Sequence, residues 1–129
     1  MGSIKYLSFT ILFLLASNLY SQNILYAELK NKNWDIYSFS LKNGITKRMT
    51  KNSLKDFQSD YSNAQNKIVF DSYRDKNTRN IFTLNIQNKK ITQLTALQSR
   101  DGHPVWSSNG SRIAFQSSRT GDSEVFIMD

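Results

Sequence analysis

One side chain in this sequence could act both as a metal ligand and as a proton shuttle near neutral pH. It is His103, the single histidine, in the stretch DGHPVWS. With no second histidine and no cysteine, His103 cannot build a zinc site by itself. Asp101 and Glu124 are conceivable helpers, but their spacing follows no metal motif. Paired carboxylates could do acid–base work. The candidates are Asp56 with Asp60 and Asp122 with Glu124, and both pairs read more simply as turn and loop residues. No G-x-S-x-G nucleophile elbow occurs. The run from Asp71 to Asp75 has too few oxygens in register for a calcium loop. The expectation is a chain with no catalytic residue, no metal and no cofactor of its own.

The arginines carry a different signal. Arg74 and Arg119 are 45 positions apart, and so are Asp56 and Asp101. One spacing shared by two charge types points to repeated structure. Its plain reading is a charge pair that pins neighbouring loops in each repeat. Its functional reading makes Arg74, Asp101, His103 and Arg119 part of one rim of a protein- or peptide-binding surface.

The elements that position these residues follow from the same period. Ile24-Leu25-Tyr26, Ile68-Val69-Phe70 and Ile113-Ala114-Phe115 are spaced by 44 and then 45 positions. Ile36-Tyr37, Ile81-Phe82 and Val125-Phe126 follow at 45 and 44. Thr50 and Thr95 hold the period, as do Tyr61-Ser62 and Trp106-Ser107. Within a period the pattern is short strand, turn, short strand: FQSDYS, KIVFDSY, NIFTLNI, KITQLT. In NIFTLNI, Ile81, Thr83 and Asn85 face one way and Phe82, Leu84 and Ile86 the other. No window after the leader shows a helical stripe. Four short antiparallel strands per period is the pattern of a β-propeller blade. One such sheet has two apolar faces and must bury them against neighbours.

The last copy, HPVWSSNGSRIAFQSSRTGDSEVFIMD, resembles the repeat of TolB-like propellers. The shared positions are Pro104, Trp106, Ser107, Gly110, Ile113, Ala114, Phe115, Ser117, Arg119, Gly121, Met128 and Asp129. Asn109-Gly110 suits a tight hairpin with positive φ. The resemblance implies an all-β fold: a partial β-propeller of about two and a half four-stranded antiparallel blades, six-bladed when complete. Residues 23–50 form a partial blade, 57–95 a full blade and 103–129 a partial blade. Tyr61 and Trp106 are expected to anchor blade packing. A closed ring needs at least four blades. The chain is therefore expected to be the N-terminal part of a propeller, closing only with further blades or another chain.

Residues 1–22 read as a secretory signal peptide. Lys5 precedes an apolar run from Tyr6 to Ala16, and polar residues with small side chains follow. That run is too short to span about 30 Å of hydrocarbon comfortably, so no stable membrane span is expected after cleavage. The absence of cysteine is compatible with the oxidising periplasm or a secreted location. The net charge is +7, but lysines and arginines are spread along the chain, with TKRMTK the densest cluster. A nucleic-acid surface wants a concentrated patch with interleaved aromatics, so none is expected. No run of neighbouring aromatics supports sugar or polymer binding. Two functions remain. One is an exported non-catalytic scaffold that binds a protein or peptide in the cell envelope. The other, implied by similar repeats in prolyl-oligopeptidase-like enzymes, is the propeller portion of an exported serine peptidase.

Overall fold

The computed structural model describes residues 23–74, 78–96 and 98–129. The signal peptide expected at 1–22 lies outside them. The described residues form ten strands: β1 Asn23–Lys30, β2 Asn33–Ser40, β3 Thr46–Arg48, β4 Asp56–Ser62, β5 Lys67–Ser72, β6 Asn80–Asn85, β7 Ile91–Gln93, β8 Asp101–Trp106, β9 Ile113–Ser117 and β10 Glu124–Met128. They make three antiparallel sheets in the orders β1-β2-β3, β4-β5-β6-β7 and β10-β9-β8. This is the expected all-β, blade-like architecture of three, four and three strands.

The central strands of the middle sheet, β5 and β6, are buried on both faces, while β4 is mixed and β7 exposed. Ile68, Phe70, Phe82 and Leu84 turn toward the first sheet and close a core with Ile36. Val69 and Ile81 turn the other way and close a second core with Ile113 and Phe115. The alternation read from NIFTLNI is the physical division between these cores. Tyr61 packs on the first core and Trp106 on the second, as their repeat position requires. Each fully buried large side chain contributes roughly 1.5–3 kcal/mol of transfer free energy.

Burial at one repeat position shows that the sheets stabilise each other. Ile36 and Ile81 are 0% exposed, each facing the next sheet. Val125, at the equivalent place in β10, is 75% exposed, and Ile127 beside it is 66% exposed. No described sheet covers that face.

The recurring threonines cap the strand next to the last in the first two sheets. Ile36 N–H donates to Thr50 Oγ1 at 2.9 Å, and Ile81 N–H to Thr95 Oγ1 at 3.0 Å. An aromatic pair spans neighbouring strands in every sheet: Tyr26–Tyr37 stacked at 5.7 Å, Phe70–Phe82 stacked at 6.0 Å and Phe115–Phe126 tilted at 6.1 Å.

The hairpin at Asn109-Gly110 has the positive φ expected of it, but in a four-residue form. A type I′ hairpin needs positive φ at both central residues, but between β8 and β9 only Gly110 has it, at +70°. Four residues separate Ser107 from Arg112, so Gly110 N–H returns to the Ser107 carbonyl at 2.8 Å. The two-residue turn with both φ positive is Asn31-Lys32, at +52° and +65°, joining β1 to β2.

Candidate functional site

Strand direction assigns the connections to two ends. The β1–β2 turn, the β3–β4 connection, the β5–β6 loop, the β7–β8 connection and the β9–β10 loop share one end, called here the loop end. All four candidate residues from the sequence lie there.

Three of the four are held in repeated clasps. Arg74 Nη2 donates to both oxygens of Asp56 at 2.8 Å, and its Nε donates to Ser72 Oγ at 3.1 Å. Arg119 repeats this with Asp101 at 3.4 Å and Ser117 Oγ at 2.9 Å, and the Ser117 hydroxyl donates to Asp101. Each guanidinium also covers its blade's aromatic pair: Arg74 lies 4.9 and 5.1 Å from the Phe70 and Phe82 centroids, Arg119 5.0 and 4.6 Å from Phe115 and Phe126. Asp56 and Asp101 are fully buried and open their strands. A buried carboxylate needs such a partner, because breaking the pair leaves an uncompensated charge at a cost of about 3–5 kcal/mol. Each clasp ties the start of its blade's first strand to the loop that follows the second strand of the same sheet, in line with the plain reading of the spacing.

His103 stands apart. It sits in a bulge of β8 between Gly102 and Val105, with φ +53°, and its side chain is exposed. Partial desolvation of the ring against its neighbours, and then the positive charge of Arg79, hold its pKa below the usual histidine value. Gln58 occupies the equivalent bulge of β4, between Asp56 and Ser59. Bulges re-aim side chains, and both of these lie at the loop end of the strand that starts its blade.

Two features were not legible from motifs. The first is a buried pair, Asp71 with Arg79. Asp71 Oδ2 accepts from Arg79 Nε, while Oδ1 has no hydrogen-bond partner among the described residues. Burial pushes the Asp71 carboxyl up to about 6, although the Arg79 charge beside it pulls the other way. Arg79 also donates to Gln58 Oε1, and its carbonyl accepts from Asp101 N–H at 2.7 Å. Its guanidinium lies where a side chain on Gly102 would be: a Cβ there would meet Cζ at 2.6 Å. The repeat holds Ala27 and Gln116 at the other two equivalents of Asp71. A charged residue that breaks the pattern was the available signal.

The second feature is an aromatic cluster. Trp34 from β2 meets Phe57 from β4 at 5.8 Å, and Phe57 meets Tyr73, just after β5, at 6.1 Å. Arg79 lies 5.8 Å from the Phe57 centroid. No run of neighbouring aromatics marks this cluster in the sequence: residues far apart along the chain converge because their strands end together.

No group of three or more metal-binding side chains occurs among the described residues. No helix among them is long and apolar enough to cross a membrane.

Comparison with known proteins agrees with this geometry. A model of the TolB beta propeller domain matches residues 21–129. A putative TolB from Agrobacterium tumefaciens superposes with a TM-score of 0.74 at 23% identity, over 84% of this chain and 42% of that one. TolB from Acinetobacter baumannii gives 0.73 at 25% identity, over 84% and 27%. Dipeptidyl peptidase 4 from Porphyromonas gingivalis gives 0.65 at 15% identity, over 81% and 15%, a likeness of fold. The chain thus spans well under two thirds of each of these proteins. Period, sheet order, paired cores and family match agree: this chain belongs to the TolB beta propeller domain family.

Proposed function

We infer that the chain is an exported, non-catalytic propeller protein that serves as a protein-interaction scaffold in the periplasm or cell envelope. One observation carries this reading. At the loop end, a cluster that the repeat does not need, Trp34, Phe57 and Tyr73, is mounted on sheets locked by repeated clasps. Rigid sheets presenting side chains at strand ends favour binding to a folded or extended partner. The leader-like residues 1–22 support export, and the likeness to TolB proteins supports the envelope as destination. His103 and Gln58, aimed from the paired bulges, extend the proposed rim, with Arg74, Asp101 and Arg119 holding it from below.

The test is fractionation of bacteria expressing the full chain with a C-terminal tag, with mass spectrometry of the product and cross-linking in the periplasm. Removal of the first twenty-odd residues and capture of a protein partner are expected. An unprocessed cytoplasmic product would remove the reading.

The likeness to a dipeptidyl peptidase supports a second reading, the propeller portion of an exported serine peptidase. The reading frame beyond Asp129 separates the two. A G-x-S-x-G followed by aspartate and histidine favours the peptidase; further blades and then a stop favour the scaffold.

A further inference from the structure

The two seams between sheets offer an internal control. At the first seam, the loop end carries Trp34, Phe57 and Tyr73. At the second seam the same repeat positions hold Arg79, Gly102 and Ser118. Both seams have a complete apolar core beneath. The fold therefore closes without the aromatic trio, and the trio's cost in half-exposed apolar surface calls for another reason.

Its geometry narrows what it can hold. Trp34 and Phe57 are tilted by 38°, and Phe57 meets Tyr73 edge-on at 80°. A sugar ring stacks on a flat platform, which these converging rings do not make. They form a notch suited to one apolar side chain, the kind of anchor that dominates protein interfaces. Leu29, 48% exposed and opposite Trp34 in the register, extends the notch.

Among the described residues, the exposed charges on the segments beside the notch are positive. Lys32, Lys51 and Lys55 are exposed on the segments beside the notch. The described carboxylates nearby, Asp35, Asp56 and Asp71, are buried and paired with Arg48, Arg74 and Arg79. Glu28 is half-buried and alternates onto the sheet face opposite Leu29.

The lysines stand on ordered backbone. Lys32 lies in the tight β1–β2 turn. The β3–β4 connection is organised around Asn52: its Oδ1 accepts from Leu54 N–H at 2.6 Å, its Nδ2 donates to Asp56 at 2.8 Å, and its carbonyl accepts from Asn33 at 2.9 Å. The Lys55 carbonyl accepts from Tyr73 N–H at 3.1 Å, tying that connection to the notch. Such preorganisation lowers the ordering cost of binding.

We propose that this loop end docks an acidic segment of a partner protein. One apolar side chain of that segment seats among Trp34, Phe57 and Tyr73, and its carboxylates face Lys32, Lys51 and Lys55. This rests on the scaffold reading and adds the partner's chemistry.

The test uses the full chain and a fluorescein-labelled peptide with a central leucine flanked by glutamates, read by anisotropy. Binding should weaken as salt rises and fall about tenfold in the double variant Lys32→Glu/Lys55→Glu. Tyr73→Ser, matching the second seam, should weaken it comparably, and replacing the peptide's glutamates by lysines should abolish it. The lysine variant touches only exposed side chains, so an unchanged melting temperature keeps misfolding out of the comparison. Equal affinity for the acidic and basic peptides overturns the proposal. So does full affinity in both variants, or stronger binding to phosphatidylglycerol vesicles than to the peptide. Periplasmic cross-linking separates this surface from the wider reading: a partner still captured by the double variant overturns the surface and leaves the scaffold role standing.

Discussion

Asp71 should make this fold more stable in mild acid than at neutral pH, the reverse of what paired surface carboxylates do. Its carboxyl titrates near 6 in the folded chain, against an ordinary value of 3.8. A folded pKa raised above the unfolded one means that the native state holds the proton more tightly. The stability contribution is then full below about pH 4 and is lost as pH rises through 6. With about two units between the states, the loss at pH 7 is on the order of 3 kcal/mol, and moving from pH 7 to pH 5 regains roughly 1 kcal/mol. His103 works against this. Its pKa is lowered in the folded chain, so its contribution is lost as pH falls through the same region. The measurement is therefore made in the His103→Gln background. Urea denaturation at a series of pH values is compared with and without Asp71→Asn. The difference in unfolding free energy between the two chains should change by about 1 kcal/mol from pH 7 to pH 5. A difference that stays flat would refute the reasoning, since nothing else separates the two proteins. It would mean that Arg79 outweighs burial at this seam.

Two further perturbations read the packing. Ile81→Ala should cost about 2–5 kcal/mol, while Val125→Ala at the equivalent repeat position should stay within about 0.5 kcal/mol, both read from denaturant midpoints. Equal costs would mean that the exposed face of the third sheet is covered. Gly110→Ala should lower the melting temperature: its Cβ would meet Ser62 Oγ at 2.4 Å and Ala64 Cβ at 3.2 Å, at a φ of +70° that alanine resists. A penalty of about 1–3 kcal/mol is expected, and an unchanged melting curve would show that the two neighbouring turns do not press together.

Spacing in the chain was enough to place the strands, because a blade repeats one apolar alternation and each strand must show its face to the same kind of neighbour. It was enough to relate Thr50 to Thr95 and Arg74 to Arg119, whose hydroxyls and guanidinium groups do the same work in successive sheets. The Arg–Asp clasps were readable for the same reason: both partners hold one period. Periodicity is silent about residues that break it. Trp34, Phe57 and Tyr73 are separated along the chain, belong to different elements and have no aromatic equivalents at the second seam; Asp71 falls in a strand read from the sequence, but nothing in its spacing tells that it is buried beside Arg79.

Local sequence therefore determined what each strand is and which way its side chains alternate, since those depend on backbone geometry and a two-residue period. Tertiary structure alone decided which strand ends meet. That meeting sets the solvent exposure of a carboxylate and the convergence of rings, and both depend on distances through space that no order along the chain contains.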